Sequence, residues 1–118
     1  EIVYGDNDML SAVTASLINA DLLVILSDID GLYEENPSEN PDARLIPGVE
    51  EITPELEKAA GGSVSGVGTG GMITKINAAK FALPHGTDVI IANGDRPERL
   101  YGIIAGKGTG TLFKSKRK

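Results

Sequence analysis

The chain is 118 residues long and 41% apolar, which supports a single core and one domain at most. Its formal net charge of −6 comes from 11 basic and 17 acidic residues, and four of the basic ones crowd into the tail, Lys114, Lys116, Arg117 and Lys118, so a nucleic-acid footprint is not expected. The absence of cysteine excludes a disulfide framework and a thiolate metal site, consistent with a cytoplasmic protein, and no apolar run approaches the ~20 residues of a membrane span. The chain lacks a signal-peptide pattern, opens on Glu1 rather than methionine and enters a strand at once, so it is expected to be cut from something larger.

Ile2, Val3 and Tyr4 predict a short strand ending at Gly5. Asp6, Asn7 and Asp8 follow, and Leu10, Val13 and Leu17 then mark the apolar face of a helix capped by Asn7 or Asp8. The run Leu22, Leu23, Val24, Ile25, Leu26 is too short for a helix and reads as a strand buried on both faces, as in a parallel sheet covered by helices. It stops at Ser27, Asp28, Ile29, Asp30 and Gly31, polar residues at the carboxyl end of a central strand, where open α/β sheets bind ligands. Residues 34–48 read as irregular, with turns at Asn36-Pro37, Asn40-Pro41 and Pro47-Gly48 and a short strand at Arg44, Leu45 and Ile46. Thr53 is placed to cap a brief helix that has Pro54 at its first position and Gly61 at its close.

Six glycines fall between Gly61 and Gly71, and a helix is expected directly after them, with Met72, Ile76, Ala79 and Leu83 on one face and Lys75 in its first turn. Pro84, His85 and Gly86 end it. Val89 to Ala92 predict a second buried strand, 97–104 a helix, and Thr111, Leu112 and Phe113 a last, edge strand. The alternation of strand and helix predicts an α/β fold, a three-layer sandwich with a mainly parallel sheet.

The glycine-rich stretch carries the strongest chemical signal. A helix that starts after such a loop aims free N–H groups and the positive end of its dipole at whatever lies there. A lysine in that turn is unfavourable unless an anion is bound nearby, so the conflict reads as a phosphate site. It is not a P-loop, because Met72 stands where the lysine of that motif belongs, nor a dinucleotide fingerprint, which follows directly on a strand. A plain surface loop remains the alternative. Asp6 and Asp8 also fit simple capping, Asp28 and Asp30 ordinary turn formation, and Lys75 a solvated lysine. His85 fits a helix-end role, and Tyr33 and Tyr101 fit packing. With a parallel sheet, however, the three polar clusters converge on one edge, carboxylates on one side and a phosphate cradle on the other. Phosphoryl transfer suits that arrangement, with Mg²⁺ held mainly by nucleotide phosphates and water rather than by a protein cage.

Gly5-Asp6-Asn7-Asp8 before a helix, Leu26-Ser27-Asp28-Ile29-Asp30-Gly31-Leu32-Tyr33, the Asn-Pro pairs with Asp42-Ala43-Arg44-Leu45-Ile46, and the stretch from Ser63 to Lys75 that ends Gly-Thr-Gly-Gly-Met-Ile-Thr-Lys together closely resemble the glutamate 5-kinases of the amino-acid kinase superfamily. The Ser-Asp-Ile-Asp-Gly-Leu-Tyr segment is shared more widely, with acetylglutamate, uridylate and aspartate kinases; the Gly-Asp-Asn-Asp segment combined with the glycine loop is more specific. The resemblance covers nearly all of this chain but only part of the family's catalytic domain. It implies the C-terminal, ATP-binding half, without the N-terminal half that bears a second lysine and without the RNA-binding-like domain many members append.

The activity so implied is ATP-dependent phosphorylation of the L-glutamate γ-carboxylate to γ-glutamyl phosphate, the first step towards proline. Asp6 and Asn7 would contact glutamate, and Asp8 would orient catalytic lysines. Ser27 and Asp28 would lie in the nucleotide site, where the family often has threonine before the aspartate. Thr69, Gly70, Gly71, Met72, Ile73, Thr74 and Lys75 would wrap ATP, with Lys75 on the transferring phosphoryl group. The resemblance further implies a homo-oligomer and a functional coupling to glutamate-5-semialdehyde dehydrogenase, and it implies little activity for this stretch on its own. A sibling kinase acting on acetylglutamate, aspartate or UMP, and a non-catalytic nucleotide-binding module, stand as alternatives.

Overall fold

Along the chain the elements are β1 (Ile2–Gly5), α1 (Asp8–Leu17), β2 (Leu22–Ser27), β3 (Gly48–Val49), α2 (Pro54–Ala59), α3 (Gly70–Ala82), β4 (Asp88–Asn93) and β5 (Thr111–Phe113). They are taken from a computed structural model that describes residues 2–5, 7–35, 40–59, 70–94, 102 and 110–116. The glycine loop at 61–69, the turn at Asn36-Pro37, all but residue 102 of the helix expected over 97–104, Tyr101 included, and the tail residues Arg117 and Lys118 lie outside the described residues.

The strands form one sheet in the order β1-β2-β4-β5-β3. β1 with β2, β2 with β4, and β3 with β5 run parallel; β4 and β5 run antiparallel. The sheet is therefore mixed but mainly parallel, as expected. β2 and β4 are central because their aliphatic runs are buried on both faces, Leu23, Ile25, Val89 and Ile91 on one and Val24, Ile90 and Ala92 on the other. The first set joins Ala12 and Ala15 of α1, Met72, Ile76, Ala78, Ala79 and Ala82 of α3, and Phe113 of β5 in the main core, while Ile90 and Ala92 with Leu22 and Leu112 form a smaller cluster. Leu56 of α2 packs on the main core as well. On α3 the expected face of Met72, Ile76 and Ala79 is the buried one.

Three expectations are corrected. β5 is not an edge strand but lies between β4 and β3. Arg44, Leu45 and Ile46 do not form a strand: Leu45 makes a single antiparallel bridge to Tyr33, and the paired segment is Gly48–Val49, where Leu112 N–H donates to Pro47 O at 3.0 Å and leads into the ladder. Of the three residues whose spacing marks α1, Val13 is half-buried and the two leucines turn away from the core. Ser11, Ala12 and Ala15 face the core, whereas Leu10 is 63% and Leu17 77% exposed, with Met9 and Ile18 also exposed. Period alone placed the large residues inside, but α1 packs directly against α3, and close packing of two helices favours small side chains at the contact.

The caps follow the expected chemistry. Asn7 is the N-cap of α1, its Oδ1 accepting from Leu10 N–H at 3.0 Å, which leaves the neighbouring Asp8 side chain for other work. At the far end Asn19 takes a left-handed φ of 55° and Ala20 N–H closes on Ala15 O at 2.9 Å. Thr53 Oγ1 accepts from Leu56 N–H at 3.2 Å before Pro54. Gly86, at φ 87°, ends the 3-10 turn Leu83–His85 that follows α3, where His85 Nδ1 sits 2.9 Å from Phe81 O and its ring stacks on Phe81.

The long excursion between β2 and β3 closes on itself, with Ile46 N–H donating to Leu32 O at 2.8 Å and Glu34 N–H to Arg44 O at 2.9 Å, and a buried hydroxyl ties it to β5. Thr111 Oγ1 accepts from Leu32 N–H at 2.9 Å and donates to Ile46 O at 2.6 Å. Gly31 must be glycine for this contact, since a Cβ there would stand 2.7 Å from the same oxygen and 3.1 Å from Thr111 N. Thr111→Val removes both bonds from a buried site and is expected to cost about 1–3 kcal/mol, read as a lower urea midpoint, with Thr111→Ser retaining most of the stability. In the same measurement Asn7→Ala is expected to cost ~1 kcal/mol through loss of the cap, and Asn7→Asp only a few tenths, ~0.3 kcal/mol.

Candidate active site at the carboxyl edge of the sheet

Parallel strands bring their carboxyl ends to one edge, and here that edge collects the polar residues singled out by sequence. α1 starts three residues after β1 ends, so its N-terminus lies at that edge. α3 must run from the same edge, because it leads through the turn at Leu83–His85 into the amino end of β4. Both helices therefore direct free N–H groups and the positive ends of their dipoles there. Ser27 and Asn93, the last residues of β2 and β4, are in register beside each other, and Gly94 N–H donates to Ser27 O at 2.9 Å.

The centre of the arrangement is Asp8. Its carboxylate, on the first residue of α1, accepts from Lys75 Nζ at 3.3 Å and from Thr74 Oγ1 at 3.2 Å, both on the same oxygen, Oδ2. Asp8 is 9% and Lys75 15% exposed, so the ion pair is largely withdrawn from water and little screened. Of the open alternatives, capping is thereby excluded for Asp8, since Asn7 does that work, and a freely solvated side chain is excluded for Lys75.

Helix geometry corrects one expectation. α3 begins at Gly70 and takes in the last two glycines of the expected loop, which puts Lys75 in the second turn rather than the first. The unfavourable placement of a cation at a helix start is reduced by that distance, and Asp8 supplies the anion that the conflict called for. An additional anion at the free N–H groups of the first turn is compatible with this, as the lysine remains at the rim.

On the neighbouring strand end, Ser27 Oγ accepts from Ile29 N–H at 3.3 Å, a local turn that turns the chain after β2, and Ser27 Oγ lies 3.5 Å from Asp28 Oδ1. Asp28 is exposed, while Asp30 Oδ1 accepts from Asn93 Nδ2 at 3.2 Å. Asn93 stands just beyond the apolar run Val89 to Ala92; its pairing with Asp30 follows from the register of β2 and β4, which periodicity does not supply. Met72 is buried in the core and Ile73 half-buried, so of the glycine-loop residues Thr74 and Lys75 carry polar side chains to the edge. Gly70 and Gly71 contribute backbone at the start of α3. Asp6 and Thr69 lie outside the described residues. Among the described residues no cluster of three or more His, Asp or Glu side chains is placed to hold a metal ion, and no helix is long and apolar enough to cross a membrane.

Such an edge, with a paired lysine, a carboxylate and two helix N-termini, is suited to holding polyanionic groups, and the chain as a whole is similar to known proteins. The model of the amino acid kinase family matches residues 1–93. Glutamate 5-kinase of Clostridium perfringens is 53% identical over 114 residues, 97% of this chain and 42% of that protein. Its counterpart in Geobacter sulfurreducens is 58% identical over 113 residues, 96% of this chain and 30% of that protein. The chain thus spans well under half the length of these relatives. Among solved structures, carbamate kinase from Giardia lamblia bound to AMP-PNP superposes with a TM-score of 0.69 at 25% identity, over 92% of this chain and 32% of that one. Isopentenyl phosphate kinase from T. acidophilum gives 0.66 at 27% identity, over 91% and 38%. The chain belongs to the amino acid kinase family.

Proposed function

We propose that this chain is the C-terminal, ATP-binding half of a glutamate 5-kinase catalytic domain, and that the whole protein transfers the γ-phosphoryl group of ATP to the γ-carboxylate of L-glutamate. The product, γ-glutamyl phosphate, is the first intermediate towards proline. The observation that carries this reading is the 3.3 Å pair of Lys75 and Asp8 at the sheet edge, in a chain 53% and 58% identical to two glutamate 5-kinases.

The chemistry asks for little else. A γ-carboxylate has a pKa of ~4.3 and is already ionised at neutral pH, so no general base is needed. The obstacle is repulsion between that anion and the nucleotide's phosphates. Lys75 meets it by placing an ammonium where charge spreads in the transition state, and Asp8 holds that ammonium in place. Residues 69–75 then line the nucleotide, α3's first N–H groups facing its phosphates; Ser27 and Asp28 flank it from β2; and Asp6 and Asn7 meet glutamate, Asp6 suiting its α-ammonium. The hard oxygen donors Asp28 and Asp30 fit Mg²⁺ chemistry beside such a nucleotide, where the ion, when bound, neutralises phosphate charge.

Glutamate, ATP, Mg²⁺ and hydroxylamine given to the full-length protein are expected to yield γ-glutamyl hydroxamate, and the isolated 118-residue chain is expected to yield little or none. Lys75→Ala in the full-length protein is expected to lower kcat by about a hundredfold or more, the usual effect of losing one transition-state donor. A raised KM with normal kcat would instead place Lys75 in ground-state binding. Faster turnover of aspartate, acetylglutamate or UMP than of glutamate would reassign the substrate.

The outer face of α1, with Leu10 and Leu17 exposed and no charged residue from Met9 to Ala20, supports packing against the rest of the kinase domain. A thiol introduced by Leu17→Cys, the only cysteine in these 118 residues, is expected to label rapidly in the isolated chain and, followed at that residue by peptide mapping, slowly in the full-length protein. Equal rates in both would leave that face to another partner.

A further inference from the structure

We infer that the Thr74 hydroxyl is a positioning group for the Asp8 carboxylate, and through it for Lys75, rather than a contact to the nucleotide. The inference rests on the phosphoryl-transfer reading above and gives one member of the 69–75 segment a different task within it.

The geometry is specific. Thr74 Oγ1 and Lys75 Nζ reach the same atom, Asp8 Oδ2, at 3.2 and 3.3 Å. Neighbouring residues on an α-helix diverge by about 100°, so two consecutive side chains meet at one atom only if it lies over the angle between them. Asp8 occupies that angle, carried there by the first turn of α1. The two donors differ in kind. A lysine is a point charge on a flexible stem with little directional preference and fixes a carboxylate poorly by itself. Threonine is branched at Cβ, stiff at χ1 and carries its donor close to the helix. Its hydroxyl is neutral, so it can hold the carboxylate without discharging it, and the full negative charge of Asp8 remains to hold the lysine. A second cation at position 74 would compete with Lys75 for the same oxygen.

Thr74 itself is exposed on α3, so replacement by the near-isosteric valine is expected to leave the fold intact. In the full-length protein Thr74→Val is expected to lower kcat about tenfold, the scale of one hydrogen bond to a charged group, with KM for ATP changed less than about twofold. Thr74→Ser, which keeps the hydroxyl, is expected to restore most of the loss. A raised KM for ATP with unchanged kcat would overturn the inference in favour of a nucleotide contact, and so would a serine variant as impaired as the valine one. A second arm needs no turnover: in a thermal-stability cycle of Thr74→Val and Asp8→Ala, the valine change is expected to cost clearly less once Asp8 is alanine. Full additivity would overturn the inference even in an active kinase. Coupling in a protein that fails to phosphorylate glutamate would keep the Thr74–Asp8 contact and remove the reading it was built on.

Discussion

Two helices start at the same edge of the sheet, and the contact between Asp8 of one and Thr74 and Lys75 of the other governs what that edge can do. Each helix start is electrically positive, and bringing two together with a lysine between them would be repulsive without a carboxylate at their meeting point. Asp8 stands on the first residue of α1, where a negative charge is itself favoured, and so serves both helix ends and the ammonium at once. The pair spans 67 residues of sequence, so it forms only when β1, β2 and β4 have aligned in parallel. The site is a consequence of the topology.

Small residues make the contact geometrically possible. α1 presents Ser11, Ala12 and Ala15 inward, and the buried positions of α3 include Ala78, Ala79 and Ala82. Helices faced with small side chains can approach closely, which brings a short aspartate within reach of α3. The same choice leaves the larger residues of α1 pointing away from the core. A stripe of Met9, Leu10, Leu17 and Ile18 on a helix with no charged residue beyond its first is costly to expose to water. Close inner packing and an apolar outer face are thus two sides of one design, that of a helix sandwiched rather than laid on a surface.

Strands, caps and turns were legible in the sequence because they depend on neighbours in the chain. The charge-free run Leu22 to Leu26, Asn7 before Asp8, Thr53 before Pro54 and the Pro-His-Gly stop all rest on local rules, and each appears where those rules place it. The register that sets Ser27 beside Asn93, the insertion of β5 between β4 and β3, and the outward-facing leucines of α1 depend on partners distant in sequence. Periodicity marks which residues share a face, not which face turns inward when alanines and leucines compete for it. The candidate site was legible in part for the same reason. Asp8 and Lys75 stood out as polar residues at element ends, and the family resemblance implied that Asp8 orients lysine charge, whereas the place of Thr74 on the same carboxylate oxygen required the helices to be laid side by side.

Thr111 shows how far the edge depends on parts that carry no charge. The chain leaves β2 at Ser27, places Asp28 and Asp30 at the edge, and rejoins the sheet at Gly48, some twenty residues on. The two sides of this excursion meet at the antiparallel bridge of Tyr33 and Leu45, flanked by two backbone hydrogen bonds, but that pair of segments has still to be held to the sheet. A single buried hydroxyl on β5 binds its beginning at Leu32 and its end at Ile46, and Gly31 is bare so that the backbone can come close enough. Because β5 runs antiparallel to β4, its first residue, Thr111, lies opposite Ile91, toward the carboxyl end of β4 and the side of the sheet where Asp28 and Asp30 stand. A parallel strand in that position would have brought its last residue there instead. The one antiparallel pairing among the described strands therefore has a physical use: it delivers the latch that holds the carboxylate-bearing loop against the site.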